Sequence, residues 1–515
     1  MSGGCFDLMG RFLRDRRGNI AVIFALAAVP LLTAVGCAVD YTMATQIKAK
    51  LQSAADAASV GALAVGSPAY VAAGTMAGSG PVAAGVTDAS NIFYANLRNV
   101  ADYTNLHVTP TVTKTNSNIT SQVTFSADMP TTFVKLIGIN TIALSGSSQS
   151  VGSLPMYLDF YLLLDVSGSM GLPSTPTEAQ RMQAINPDNF RQYPTGCTLA
   201  CHFSPQNSAC TDSGTQGYPT NNYCLGYAIS RVSQSGYTGL LQTNNNNPMR
   251  KQLPNNIVSG LPNSLYNNLP TVANCPATGT DNCIQLRLDA VGYAVNQLFI
   301  TANNSEKLPQ QFRIGLYPFI RYLYSNYFPL TSSINGSSTN PSTINYAAAN
   351  LASLLDTNTN ANLGSGGTHI DTALSSTNTL ISSVGNGSSY NNTLPYVFLI
   401  TDGAQDPQVK GVPNGGWSGS NHATVINPAT DCAPLKNRGI IVSVLYIPYQ
   451  LISPVNASFA GDEDDYANNN IPNIPASLQG CASPGFFYTA NTPADITAAL
   501  NAMFNHALVN AHITN

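Results

Sequence analysis

Charge is scarce in this chain: Asp, Glu, Lys and Arg make up 9% of 515 residues, with a formal net charge of −4. A nucleic-acid partner needs a basic stripe, which this balance does not supply. Catalytic signatures are missing as well. Ser167 has Val166 and Gly168 beside it and no glycine two positions earlier, so it is not the serine of a Gly-x-Ser-x-Gly elbow. The six histidines form no His-Glu-x-x-His pair, and Gly364–Gly367 lacks the Lys-Ser/Thr of a phosphate loop. No catalytic constellation remains, and an enzyme is not expected. With 44% hydrophobic residues and so few charges, the surface has to be built from Asn, Ser, Thr and Gly, a style common outside the cytoplasm. The length predicts more than one domain.

What is present centres on Tyr157–Met170, YLDFYLLLDVSGSM. An apolar run ending on a small-residue turn predicts a parallel strand buried on both faces. The turn places Asp165, Ser167 and Ser169 at the carboxyl end of that strand, where open α/β sheets bind ligands. Two later stretches add to the set. Gly364–Leu374 (GSGGTHIDTAL) offers Thr368 in a glycine-rich loop running into a helix, and Tyr396–Gly403 (YVFLITDG) is a second buried strand ending on Asp402. All five side chains are hard oxygen donors, which suits Mg²⁺, with Mn²⁺ or Ca²⁺ as alternatives. Taken singly, Asp-x-Ser-x-Ser is ordinarily a surface turn and Asp402 a turn former. Their joint placement, with Thr368 between, favours a metal site.

These residues resemble the von Willebrand factor A family and its metal-ion-dependent adhesion site. The resemblance implies that Ser167, Ser169 and Thr368 take the metal directly or through water. It implies that Asp165 and Asp402 bind through water or from behind, and that a ligand's acidic oxygen fills an open position. The expected fold is α/β: a doubly wound, parallel-dominated, Rossmann-like sheet over residues 155–515. Helices are predicted at Ile284–Ile300, Tyr346–Leu355, Ile370–Val384 and from Ile496 to Leu508. Further strands are expected at Phe312–Tyr317, Ile440–Ile447 and Phe486–Tyr488.

The amino terminus has a different character. Arg11, Arg14, Arg16 and Arg17 precede Ile20–Val39, twenty residues without a charge. As a helix that run spans about 30 Å, the thickness of a hydrocarbon core. Arginines ahead of it put residues 1–19 in the cytoplasm and the bulk of the chain outside. A retained single-pass anchor is favoured over a cleaved signal peptide or lipidation at Cys37. Residues 40–65 continue the helix, with a small-residue stripe of Met43, Ile47, Leu51, Ala54, Ala55 and Ala58. That stripe suits either a pilin-like helix bundle or the chain's own next domain. Residues 66–90 read as a flexible connection. A short helix at Ile92–Leu97, a hairpin turning at Asn116-Ser117-Asn118, a short helix at Phe133–Ile137 and a strand at Ile142–Leu144 then make a small α+β module to residue 150.

Arg16–Leu26 (RRGNIAVIFAL) and Leu51–Ala58 (LQSAADAA) resemble the amino terminus of TadG-like proteins of the Tad (tight adherence, Flp pilus) assembly system. Processed pilins carry Glu five residues beyond the cleaved glycine; here that position is Ile23, which speaks against cleavage after Gly18. The resemblance implies a component of pilus assembly in the bacterial inner membrane, facing the periplasm, whose partners are proteins of the pilus machinery. The alternative is a surface adhesin using the same metal against an external ligand with an acidic group.

Residues 171–283 form an insertion after the first strand of the A domain. Six of the ten cysteines lie in it (Cys197, Cys201, Cys210, Cys224, Cys275 and Cys283), and Cys432 and Cys481 follow later. Outside the cytoplasm an even set of eight reads as disulfides. Cys275–Cys283 and Cys432–Cys481 are the expected pairs. Zinc at Cys197, Cys201, His202 and Cys210 is a weaker reading than oxidation, and Asp462–Asp465 reads as a solvated acidic loop.

Overall fold

The computed structural model describes residues 18–97, 100–177, 202–204, 222–224, 285–356, 360–412, 415–449, 451 and 464–513. The chain divides into two compact units, Met1–Leu154 and Pro155–Asn515.

In the first unit a 44-residue helix, α1 (Gly18–Gly61), runs through the expected span and its extension without a break, Pro30 included. Its first half is apolar on every side and exposed, from Ile23 at 60% to Val35 at 56%. The helix is long and apolar enough to cross a membrane. Its second half is amphipathic. Leu51, Ala54, Ala55 and Ala58 bury against Phe93, Val123, Phe125 and Leu144, so the small-residue stripe packs on the chain's own sheet. Each large apolar side chain buried there contributes about 1.5–3 kcal/mol.

Residues 66–90, expected as a flexible connection, are mostly helical instead. They hold α2 (Pro68–Thr75), the two-residue strand β1 (Gly80–Pro81) and the start of α3 (Ala83–Asn96). The reason is steric. Small residues here permit close approach, and a Cβ on Gly85 would sit 2.7 Å from that of Ala69 and 2.8 Å from Val112. The hairpin forms as β2 (Thr104–Thr115) and β3 (Asn118–Pro130), turning through Asn116 at φ 54°. A 3₁₀ turn at Val134–Ile137 leads into β4 (Thr141–Ser153), longer than the three-residue strand expected. The sheet is antiparallel, in the order β1-β2-β3-β4.

The second unit is built on a six-stranded sheet of β5 (Leu158–Asp165), β8 (Phe312–Phe319), β9 (Phe328–Thr331), β10 (Leu394–Thr401), β13 (Ile441–Tyr446) and β14 (Phe487–Thr489). Short pairs at β6 (His202–Ser204) with β7 (Asn222–Cys224), and at β11 (Val409–Lys410) with β12 (Trp417–Ser418), lie outside it. The order is β14-β13-β10-β5-β8-β9, parallel except for the edge strand β9. The first strand thus lies in the middle. The chain winds out to one side through β8, then returns to the other side of β5 with β10.

Both faces are covered. Phe160, Leu162 and Leu164 of β5 point toward α4 (Arg287–Ser305), α5 (Ile344–Ala349) and α10 (Pro493–Ile513). Tyr161 and Leu163 alternate to the opposite face, toward α6 (Ile370–Leu380), α7 (Ala433–Asn437) and α9 (Ile474–Cys481). The single helix expected over Tyr346–Leu355 divides at Asn350, where α5 ends and a 3₁₀ turn, Leu351–Leu354, begins. The helix expected from Ile284 starts at Arg287, because the Asp289 carboxylate accepts the Leu286 amide (2.8 Å) and fixes the first turn.

At the amino ends of the strands, buried Asp159 holds Arg313 by two bonds of 2.5 and 2.6 Å and accepts the Thr393 hydroxyl at 2.6 Å. Cys432 and Cys481 are joined, tying α9 to the π-helical turn Pro428–Cys432. The Cys275–Cys283 pair, the Cys197–Cys210 cluster and the amino-terminal arginines lie outside the described residues. Of the acidic loop, Asp464 and Asp465 begin the helix α8 (Asp464–Asn470).

Candidate metal centre

Asp165 ends β5, and Asp402 follows the last residue of the neighbouring β10. The winding direction of the chain reverses between these two strands, which is where α/β sheets open a crevice for ligands. The turn after β5 is tight. Asp165 Oδ1 accepts the Ser167 amide (3.0 Å) and the Ser167 hydroxyl (2.6 Å), and the Ser169 hydroxyl lies 3.4 Å from that of Ser167. Asp165 Oδ2 accepts the Thr401 hydroxyl at 2.6 Å. The two strand ends are thereby stitched together by side chains.

Thr368 reaches the same edge of the sheet by another route. The amide of the next residue, His369, donates to Ile320 just past the end of β8 (2.9 Å), and Thr368 exchanges two 3.0 Å backbone bonds with Asp406, beyond β10. The glycines before it are obligatory. Gly366 and Gly367 have φ of 80° and 70°, and a Cβ on Gly367 would strike the Asp406 carbonyl. The Thr368 hydroxyl takes no part in the bonds that join the other residues. The structure therefore couples Asp165, Ser167 and Ser169 directly, sets Asp402 beside them, and puts Thr368 at the same end of the sheet. All five are buried, none more than 2% exposed.

Three contributors escaped the sequence reading. Arg287, at the first turn of α4, brings Nη1 to 3.6 Å from Asp402 Oδ2, with both side chains buried. Thr401 clamps Asp165. Asp356 holds the glycine loop, accepting the Ser365 hydroxyl (2.7 Å) and the Gly366 amide (3.0 Å), while its own amide donates to the Val166 carbonyl (3.0 Å). Only Thr401 carried a local signal, being the hydroxyl next to Asp402 in ITDG. The others act across long sequence separations.

The electrostatics are those of a buried acidic pair. Burial pushes the Asp165 carboxyl up to about 7, and the negative charge of Asp402 adds to it, against hydrogen bonds from Ser167 and Thr401. Burial also raises Asp402, opposed first by the Arg287 charge and then by Ser169. Ser169 lies near enough to favour the ionised form of Asp402 without meeting hydrogen-bond geometry: both Asp402 carboxylate oxygens, and Arg287 Nη1, are buried with no hydrogen-bond partner. Buried carboxylate oxygens that accept no hydrogen bond are costly, and the Arg287 charge at 3.6 Å offsets only part of that. Two acceptors facing a cluster of hydroxyls fit a hard divalent cation. Among the described residues no group of three or more His, Cys, Asp or Glu comes together, so a cation here has to draw on hydroxyls.

Comparison with known proteins bears mainly on the first unit. Residues 18–65 match the Tad family model, described as Flp pilus-assembly TadE/G-like. No curated relative matches the chain. Among solved structures, the PilB minor pilin of Streptococcus sanguinis aligns at 11% identity over 79% of each chain, with a TM-score of 0.31. The von Willebrand factor domain of the type V pilus tip protein Mfa5 of Porphyromonas gingivalis aligns at 11% identity, over 70% of this chain and 97% of that one, with a TM-score of 0.28. Proximal thread matrix protein 1 of the mussel byssus aligns at 14% identity over 43% of each chain, with a TM-score of 0.26.

Proposed function

We propose that this chain is a membrane-anchored component of Tad/Flp pilus assembly, of the TadG-like kind. In this reading its second unit is a von Willebrand factor A-like domain that grips a protein partner through a divalent cation. The family match over residues 18–65 and the exposed apolar half of α1 support the anchored, pilus-associated part. One observation carries the metal part: neither carboxylate oxygen of buried Asp402 takes a hydrogen bond, although Arg287 faces Oδ2 at 3.6 Å and Ser169 of the Asp165–Ser167–Ser169 turn lies close by.

Ser167, Ser169 and Thr368 would supply neutral oxygens to the cation, with Asp165 and Asp402 supplying charge. A bound Mg²⁺ would give the site a positive charge with a coordination position open to an acidic oxygen of the partner. The chain's own residues do the positioning. Asp165 orients the Ser167 hydroxyl, Thr401 fixes Asp165, and Asp356 sets the height of the glycine loop that presents Thr368. The bulk of the chain is read as periplasmic, with an inner-membrane anchor, and no catalytic role is assigned.

Cross-linking in intact envelopes tests this. Wild-type chain should capture pilus components in Mg²⁺ and lose them in chelator, and Asp165→Ala should lose them in both. Equal capture by wild type and Asp165→Ala at equal protein level would refute the metal-dependent grip.

A further inference from the structure

The first unit carries an apolar tip that no core residue covers. Between β3 and β4 the chain reads Phe133-Val134-Lys135-Leu136-Ile137-Gly138-Ile139. Phe133 is 43% exposed, Leu136 86%, Ile137 55% and Ile139 48%. Four large apolar side chains exposed on seven residues are unusual for a water-facing loop. Val134 alone turns inward.

Two contacts fix where this tip stands. The Asp40 carboxylate of α1 accepts the amides of Thr132, Phe133 and Val134 at 3.1, 2.9 and 2.8 Å. One turn earlier on the same face of α1, Gly36 leaves no room for a Cβ against Phe133. Gly36 lies within the charge-free run that ends at Val39, about 6 Å below Asp40 along the helix axis. Phe133 therefore sits against Gly36, at the depth of the apolar half of α1, where Leu32 and Val35 are also exposed.

The backbone of the tip suits a dry setting. A loop leaving water must pair its own amides, since each unpaired one costs several kcal/mol in hydrocarbon. Asp40 takes three of them. The Leu136, Gly138 and Ile139 amides donate to the Phe133, Lys135 and Val134 carbonyls, and Thr131 and Asn140 close the base of the loop. Asp40 is itself buried, and all three amides, Val134 the closest, point at its carboxylate. A carboxylate at the edge of a membrane helix is thus converted into a cap. Lys135 is long enough to carry its ammonium from the tip up to lipid headgroups.

We propose that the 133–139 tip is a second membrane contact: it enters the outer part of the bilayer beside α1 and fixes the orientation of the first unit on the lipid surface. The occupant is the lipid bilayer itself, because the tip continues the apolar surface of the same helix. This inference rests on α1 spanning the membrane, and the experiment separates the two.

The chain has one tryptophan, Trp417, in the second unit, so a Trp417→Phe background is free of indole signal. Into that full chain, Leu136→Trp, Ile137→Trp, Leu31→Trp or Tyr94→Trp is introduced singly. Each chain is reconstituted in phosphatidylcholine–phosphatidylglycerol vesicles with or without acyl-chain bromine. The expected result is quenching of the Leu136→Trp and Ile137→Trp reporters comparable to that of Leu31→Trp, and none for Tyr94→Trp, which lies on α3. If Leu31→Trp is quenched while both tip reporters emit like indole in water, the tip inference is overturned and the anchor stands. Tip reporters that are blue-shifted but unquenched would show a protein cover instead, and would also overturn it. If Leu31→Trp is itself unquenched, the anchor reading fails and this inference falls with it.

Discussion

Replacing Arg287 by Met removes the positive charge that faces Asp402 while keeping an unbranched side chain of similar reach. The pair stands at 3.6 Å, too long for a hydrogen bond, so its attraction is chiefly Coulombic. At an effective dielectric of about 20, unit charges at that separation attract by about 4–5 kcal/mol. Loss of one partner of a buried pair costs about 3–5 kcal/mol, because the other charge is stranded. The two figures agree. In chelator, the second unit of Arg287→Met should therefore melt about 4–7 °C lower than wild type. Trp417 is the only tryptophan and belongs to this unit, so its fluorescence follows the transition without interference from the first unit. With Mg²⁺ at saturation the deficit should shrink, since a cation replaces the missing charge, and the variant should bind Mg²⁺ more tightly than wild type. Arg313→Met, at the amino ends of the strands, serves as the control: its cost should be the same with and without Mg²⁺. A deficit in Arg287→Met that is equally indifferent to Mg²⁺ would refute the assignment of Asp402 to the cation.

Two further outcomes follow from the same geometry. Asp165 is held near 7, against an ordinary value of 3.8, so the folded state keeps its proton more tightly than the unfolded state. In chelator, stability of the second unit should fall as pH rises from about 4 to 7, with Asp406, raised to about 6 by burial, adding a slope of the same sign. Saturating Mg²⁺ should flatten the Asp165 share, and so should Asp165→Asn; a wild-type melting profile that rises over this range would contradict the burial argument. The Cys432–Cys481 bridge closes a separation of 49 residues, for which chain entropy alone gives about 4 kcal/mol. Cys432→Ala with Cys481→Ala should lower the denaturant midpoint of the second unit accordingly and leave Mg²⁺ binding unchanged.

Much of the second unit was legible because its central strands are uninterrupted apolar runs that end on a carboxylate. YLLLD and FLITD admit few readings other than parallel strands buried on both faces, and their ends bring Asp165 and Asp402 to one edge of the sheet. The residues that complete the site were not legible in this way. Arg287 meets Asp402 only because α4 docks on β5 after the long excursion of residues 171–283, and nothing local in LRLD foretells it. Asp356 follows a leucine-rich turn and acts on a loop nine residues later by accepting its Ser365 hydroxyl and Gly366 amide, a contact that exists only once that loop is folded. In the first unit, Gly and Ala between residues 66 and 90 imitate a linker by composition, yet they are small because helices cross closely there. Asp40 read as a continuation of the helix; its role as a cap depends on a loop more than ninety residues away.

The most direct test of the metal centre is a Mn²⁺ titration of the full chain in lipid nanodiscs, followed by the electron paramagnetic resonance signal of free Mn²⁺. Wild type is compared with Ser167→Ala/Ser169→Ala, which removes two hydroxyl donors and leaves every carboxylate in place. Binding of Mn²⁺ by wild type, with one site per chain lost in the double variant and Mg²⁺ competing for that site, is the predicted result. Equal binding by the two chains would place any bound cation elsewhere and contradict the account.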